Sequence, residues 1–177
     1  DWQQSQKAAR YIREYAKRLR GNTELDVIKP LQEALIDENW VVRWTVVEAL
    51  AWLKNPSTEE HLIPLLTDTN WIVRVAVIRA LVELDAYHSA VSIAHLIQDS
   101  QNAVREAVVE AVGILNNPDV LPTLKKAVDD DDAFVRLAAI QSIITLADEE
   151  AIPFIIHKLS DSNSHVRWAT IQHLAKY

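Results

Sequence analysis

The sequence predicts an all-α protein, a right-handed α-solenoid of five 31-residue helix pairs behind one N-terminal capping helix. Three observations lead to this fold class. The 177 residues include only two glycines and six prolines, which favours helices joined by short connections. Arginine recurs every 31 residues, each time directly after a valine. Within each repeat, apolar residues follow the helical spacing i, i+4, i+8.

Three residue columns define the repeat: the arginine, the valine before it, and an aspartate six residues before the arginine. The arginines are Arg43, Arg74, Arg105, Arg136 and Arg167, and the aspartates are Asp37, Asp68, Asp99, Asp130 and Asp161. One helix pair cannot bury its apolar face alone, so a period of this length predicts stacked units. The predicted units are 22–54, 55–85, 86–116, 117–147 and 148–177, and they form one continuous domain.

The segment before the repeats, residues 1–21, predicts one helix that ends at Gly21, a residue type favoured at helix C-caps. Its apolar stripe is Ile12, Ala16 and Leu19, and it lacks the valine–arginine signature. We therefore predict that it caps the first unit. Its net charge is +4, whereas the other residues sum to −11.

Each unit should hold a shorter first helix and a longer second helix. Aspartate and asparagine are frequent between the two, and both residue types cap helix N-termini. No capping helix is recognised after the fifth unit, so we expect Val166, Ile171 and Leu174 to be partly uncovered. A continuation of the chain or a docked partner would cover them.

The pattern D-x-x-x-x-x-V-R-x-x-A resembles the HEAT-repeat superfamily, and the short unit resembles the phycobilisome-lyase (PBS lyase) type of HEAT-like repeat. The alanine stands at 76, 107, 138 and 169, with threonine at 45. The resemblance covers residues 24–177 and implies a structural ladder of hydrogen-bonded ion pairs, formed by the arginine and aspartate columns between successive units. An aspartate six residues ahead of an arginine can reach its guanidinium and also cap the following helix.

On a helical wheel of the first of the second helices, the apolar core residues form one arc, Val42, Val46, Leu50 and Leu53. A second arc of residues lies on another side of these helices. The resemblance implies that this second arc lines the concave side of the solenoid, and we predict that it binds a partner. Its residues are Trp40, Val41, Trp44, Glu48, Trp52, Trp71, Ile72, Val75, Arg79, Glu106, Glu110, Phe134, Leu137 and Trp168. Packing between helices, or under the capping helix for Trp52, is the alternative role of the tryptophans.

The sequence offers no catalytic or metal-binding constellation, so we expect no enzyme and no cofactor. Cysteine is absent, the two glycines are isolated, and the six histidines do not cluster. The acidic run 129–132 is expected to be a solvated turn. A net charge of −7 disfavours nucleic acid, and no apolar run could span a membrane. A cytoplasmic protein is compatible with this composition.

Two hypotheses of function follow. The first is a non-enzymatic scaffold, part of a larger protein, that grips a peptide or a globular protein in its tryptophan-rich concave face. The acidic centre of that face would favour a partner with lysine or arginine between apolar anchors. The second is implied by the closer resemblance: a bilin lyase subunit, or a factor of phycobilisome assembly or degradation. Such a protein would handle a linear tetrapyrrole or a phycobiliprotein.

Overall fold

The computed structural model describes Glu14 and residues 28–177, and these residues form helices and turns without any strand. Apart from Glu14, which is helical and exposed, the predicted capping helix at 1–21 lies outside the described residues. The all-α helix-pair fold is confirmed for residues 28–177. No helix in this range combines the length and the apolar character needed to cross a membrane.

Residues 28–177 form ten α-helices that make five pairs. They are α1 Ile28–Glu33, α2 Trp40–Leu53, α3 Glu59–Leu62, α4 Trp71–Glu83, α5 Ala90–Ala94, α6 Asn102–Leu115, α7 Leu121–Ala127, α8 Ala133–Ala147, α9 Ile152–Ile155 and α10 Ser164–Leu174. The even-numbered helices are the longer second helices that carry the arginine column.

The first helices are short because most of them pass into a 3-10 turn. Such turns are Ala34–Ile36 after α1, Ile63–Thr67 after α3, His95–Gln98 after α5 and Ile156–Ser160 after α9. Pro64 stands where α3 would otherwise continue, and a proline inside a helix removes a backbone donor and clashes with the preceding turn. The second helices, of 11 to 15 residues, are therefore the long element of each pair.

Four of the five second helices are capped by the side chain of the residue that follows the ladder aspartate by two positions, and only Gln101 before α6 makes no such bond. The Oδ1 atoms of Asn39, Asn70 and Asn163 accept the N–H group two residues later, at 3.0, 2.9 and 2.8 Å. The expectation that the aspartate itself caps the helix is wrong. Oδ1 of Asp37 or Asp68 instead accepts the N–H of the capping asparagine, at 2.8 Å in both turns, and so fixes the turn before the helix.

The chain divides into two compact units, each larger than one predicted repeat, with the boundary between Ala86 and Tyr87. From here on, unit 1 and unit 2 refer to these two parts and not to single repeats. In unit 1, α2 packs against α4, and the core side chains include Val46, Leu50 and Leu81. In unit 2, α8 packs against both α6 and α10. Val166 is fully buried there, so the expectation that it is partly uncovered is wrong. The prediction of one continuous domain stays a prediction.

Candidate functional site

The arginine column forms bidentate ion pairs within each unit. In unit 1, Nε and Nη2 of Arg43 donate to the two carboxylate oxygens of Asp68 at 2.6 and 2.8 Å. In unit 2, Arg105 makes the same two bonds to Asp130 at 2.8 and 2.9 Å. The acceptor lies 25 residues after the arginine, at the turn of the next helix pair. A fork of two parallel bonds is the strongest arrangement available to a guanidinium and a carboxylate.

The remaining nitrogen of each arginine binds its own turn. Nη1 of Arg43 donates to the carbonyl oxygen of Asp37 at 2.7 Å, and Nη1 of Arg74 donates to that of Asp68 at 2.7 Å. The aspartate six residues ahead therefore contributes its carbonyl group, not its carboxylate as the sequence suggested. The carboxylate of Asp68 accepts the N–H of its own turn and also the fork of Arg43 from the pair before it, so one ladder aspartate connects two pairs.

The ladder stabilises the charged form of Asp161 and of Asp68. The hydrogen bond from Arg136 is the main cause that lowers the pKa of Asp161. At Asp68, burial raises the pKa, but the hydrogen bonds from Arg43 and from the N–H of Asn70 outweigh it, and the pKa falls below its usual value. These pairs repeat from turn to turn, as structural contacts do.

The described part of unit 1 carries four tryptophans that are exposed or half-buried, Trp40, Trp44 and Trp52 on α2 and Trp71 on α4, and we call them, with Ile72 and Val75 of α4, the tryptophan surface. The rings of Trp40 and Trp44 are 6.5 Å apart between centroids and tilted by 34°. Both are half-buried, whereas Trp52 and Trp71 are 37% and 41% exposed. Indole rings this exposed on well-packed helices offer apolar contact area to a ligand.

The other predicted residues of unit 1 divide by burial. Ile72, Val75 and Glu48 are half-buried, and Arg79 is exposed. Val41 is 5% exposed, so its side chain is not available to a partner. The physical reason is that the buried side of α2 is wider than the predicted core arc: Thr45, one turn later, is also buried and bonds the carbonyl of Val41 at 2.7 Å.

In unit 2 the same helix positions are acidic on α6 and aromatic on α8 and α10. Glu106 is half-buried and Glu110 is exposed on α6. Phe134 and Trp168 are well exposed, and Leu137 is half-buried. Sequence reasoning missed Ile114, which is also exposed. It lies one turn after Glu110, so extending that row by four residues could have found it.

The acidic run at the start of α8 is engaged by neighbouring side chains. Oδ1 of Asp129 accepts hydrogen bonds from Lys158 Nζ at 2.7 Å and His157 Nε2 at 3.0 Å. The Lys158 bond is the main cause that lowers the pKa of Asp129. Asp130 belongs to the ladder, and Asp132 caps α8. Within the described part of the chain, no three histidine or acidic side chains are placed to hold a metal ion.

Two known families of helical repeats match this chain. The family of HEAT repeats matches residues 1–81 and 59–144, which together are more than half of the chain. The chain belongs to the HEAT repeat family. The PBS lyase HEAT-like repeat matches residues 135–161. No curated protein sequence matches the chain.

Solved structures of helical repeat proteins share the fold of this HEAT-repeat chain. The Escherichia coli protein YIBA_ECOLI is 21% identical, with a TM-score of 0.74 over 90% of this chain and 63% of its own. A designed armadillo repeat protein in complex with the peptide (KR)4 is 19% identical, with a TM-score of 0.66 over 99% and 93%. The CpcE–CpcF complex of phycocyanin lyase from Nostoc sp. PCC7120 is 21% identical, with a TM-score of 0.63 over 90% and 68%. At these identities the likeness concerns the fold alone.

Proposed function

We propose that this HEAT-repeat protein is a non-enzymatic scaffold that binds a protein partner through the tryptophan surface of unit 1. The observation that carries the proposal is the exposure of Trp52 and Trp71 on two helices whose opposite sides are fully buried. Tryptophan is the residue type most enriched at the energetic centres of protein interfaces. A ring that packs on one side and is open on the other contributes binding area at a small entropic cost.

The partner that suits this chain is a peptide segment with lysine or arginine between apolar anchors. Residues 28–177 contain 21 acidic and 12 basic side chains, so a basic segment is attracted to this part of the chain. The designed armadillo repeat protein, which shares the fold, binds a peptide of lysine and arginine. The apolar anchors would rest on the indole rings, and the basic residues would lie near Glu48 and the other carboxylates.

The test is a selection of random dodecapeptides on the wild-type protein, followed by affinity measurements on variants. Peptides with basic and apolar residues should be enriched. The double substitution Trp52→Ala and Trp71→Ala should weaken their binding at least tenfold, because truncating a central tryptophan costs about 2 kcal/mol or more. Fluorescence polarisation of labelled peptides gives the affinities.

The matched control is Tyr87→Ala, which removes an exposed aromatic side chain of unit 2 outside the predicted partner-binding residues and should leave the affinities within about twofold. Circular dichroism should show equal helicity for all three proteins. Equal binding by the wild type and the Trp52/Trp71 variant would contradict the proposal. So would enrichment of acidic peptides.

A second candidate function is the handling of a linear tetrapyrrole, as in bilin attachment. The observations in its favour are the PBS lyase repeat at 135–161 and the fold shared with the CpcE–CpcF complex. Titration of biliverdin into the protein should then shift and sharpen the visible absorption band of the pigment. An unchanged spectrum at a tenfold excess of protein would remove this candidate and leave the peptide proposal untouched.

A further inference from the structure

A surface of exposed and half-buried side chains extends across α6 and α8 of unit 2, and we call it the α6–α8 face. Its residues are Ala103, Glu106, Glu110 and Ile114 of α6 and Phe134, Leu137, Gln141 and Thr145 of α8. Ile114 and Phe134 are 67% and 65% exposed, the two largest exposed fractions among the described large apolar side chains of unit 2.

The stacking of helix pairs leaves this face bare. α8 packs against α6 on one side and against α10 on the other, and Ile140 and Ile143 are fully buried in these contacts. Phe134 and Gln141 of the same helix are exposed although a helix pair lies before and after α8. Another repeat at either end would therefore not cover the face, whereas a ligand that crosses the helices would.

The two helices lie level with each other. At their beginnings, Nδ2 of Asn102 donates to Oδ2 of Asp132 at 2.7 Å. Further along, Ser142 Oγ donates to the carbonyl of Val109 at 3.0 Å, and a Cβ atom on Gly113 would also meet Ser142. Residues 31 positions apart are therefore side by side on α6 and α8. The axes of packed helices are about 8–10 Å apart, which sets the distance between the two rows of the face.

The face is acidic on α6 and apolar on α8. Its eight positions include Glu106 and Glu110 but no lysine, arginine or histidine. Leu137 is level with Glu106, and Phe134 lies one helical turn before it. The complementary ligand has a cation for the carboxylates of α6 and, one helix spacing away, an apolar group that covers Phe134 and Leu137.

We propose that the α6–α8 face binds a polyproline II segment of a partner protein that carries a lysine or arginine three residues away from an apolar side chain. A polyproline II chain has three residues per turn and rises about 9 Å in that turn. Its residues i and i+3 therefore point the same way at the distance between neighbouring helices. In a β-strand, the side chains on one face are only about 7 Å apart, which matches the helix spacing less well.

Two further properties of such a segment suit this face. A polyproline II chain leaves its backbone carbonyls without internal hydrogen bonds, and the exposed amide of Gln141 can donate to them. The chain is also extended before it binds, so it loses little conformational freedom. The α6–α8 face belongs to unit 2 and shares no residue with the tryptophan surface.

A spacing series of labelled peptides tests the proposal. Each peptide holds one arginine and one leucine in a proline host, with one, two or three prolines between them, and both orders are made. In the better order, the peptide with two prolines should bind the complete chain at least about fivefold more tightly than the other two. Fluorescence polarisation measures the affinities. Absent binding, or equal affinities for the three spacings, would overturn the proposal.

Two substitutions assign the binding to the face. Glu110→Lys reverses an exposed charge on α6 and should weaken the best peptide at least about tenfold, and Phe134→Ala should weaken it at least about fivefold. The matched controls are Glu150→Lys in the turn before α9 and Tyr87→Ala, which change exposed side chains outside the face. Both should keep the affinity within about twofold. Equal losses in the controls and the face variants would contradict the assignment.

The same assay separates this face from the tryptophan surface. The Trp52/Trp71 double variant should bind the two-proline peptide as the wild type does. If that variant loses the peptide and Glu110→Lys keeps it, the present proposal is wrong and the function proposed for unit 1 stands. A second copy is the competing occupant: concentration-dependent growth in sedimentation that Glu110→Lys abolishes would identify it and overturn the proposal.

Discussion

Unit 1 and unit 2 use the same ladder and display different surfaces. The fork of Arg43 in unit 1 and that of Arg105 in unit 2 agree in both bond lengths to within 0.2 Å. At the outward positions, however, α2 carries Trp40, Trp44 and Trp52, where α6 carries asparagine, glutamate and isoleucine. In a stacked repeat, contacts to the next pair constrain the inner and turn positions, while the outward positions are free to change. Function is therefore best sought where the units differ.

The two units also differ at one buried pair of positions. Unit 1 has Ala51 and Ala80, both 3% exposed, where unit 2 has Gly113 and Ser142. A Cβ atom on Gly113 would lie 2.7 Å from Ser142 Cβ, and Ser142 Oγ donates to the Val109 carbonyl at 3.0 Å. Compared with unit 1, the earlier helix of unit 2 carries a smaller side chain at this position and the later helix carries a larger one. Between these two pairs of positions, the sum of the two side-chain sizes is conserved although neither residue is.

The substitution Gly113→Ala should cause the largest loss of stability among these tests. It tests whether the side-chain sizes at positions 113 and 142 compensate each other. The added methyl group collides with Ser142, and overpacking of this kind costs about 1–3 kcal/mol. Ser142→Ala alone should cost about 1 kcal/mol through the lost hydrogen bond. The double variant restores the alanine pair of unit 1 and should be more stable than Gly113→Ala alone.

Urea unfolding followed by circular dichroism gives the free energies for this cycle. Ala51→Gly in unit 1 is the matched control, because it opens space there and no serine fills it. Additive losses in the Gly113/Ser142 double variant would mean that the two positions are independent and that the comparison between the units is wrong.

A smaller effect should appear on acidification, and it tests whether the ladders of the two units are equivalent. The pKa values of Asp68 and Asp161 lie below the ordinary value of 3.8 in the folded protein. An acid with a lowered folded pKa stabilises the protein above its unfolded pKa, and this contribution is lost as the pH falls through the folded pKa. The free energy of unfolding should therefore fall between about pH 5 and pH 2.

Either single substitution, Asp68→Asn or Asp161→Asn, should flatten this pH dependence by a similar amount. Thermal unfolding at a series of pH values measures it. Flattening by one substitution and not by the other would show that the two ladders differ in energy despite their equal geometry.

Much of this architecture follows from the sequence. The 31-residue period and the spacing of the valines and leucines predict the helix pairs, because only stacked pairs bury residues at that period. The sequence did not show which residue of each turn caps the following helix. An aspartate and an asparagine two residues apart can both cap a helix, and only the backbone geometry decides that Asn39 caps and Asp37 holds the turn.

The candidate surface is less determined by the sequence. A helical wheel gives the direction of a side chain but not the width of the buried arc, which depends on the sizes of the neighbours. Val41 is buried for this reason, whereas Ile114 lies in the predicted outward row and is exposed as that row predicts. The compensation between Gly113 and Ser142 was also invisible in the sequence, since the two residues are 29 positions apart and neither belongs to the signature.

The ladder also has a consequence for how such a chain can change length over evolution. Arg105 and Arg136 of unit 2 each take a carboxylate from the pair that follows, Asp130 and Asp161 respectively. A duplicated stretch of 31 residues therefore brings an aspartate for the arginine before it and an arginine for the aspartate after it. A gene can therefore gain or lose one such segment without leaving an arginine or an aspartate of the ladder unpaired between two helix pairs, so the number of repeats can change without loss of the ladder.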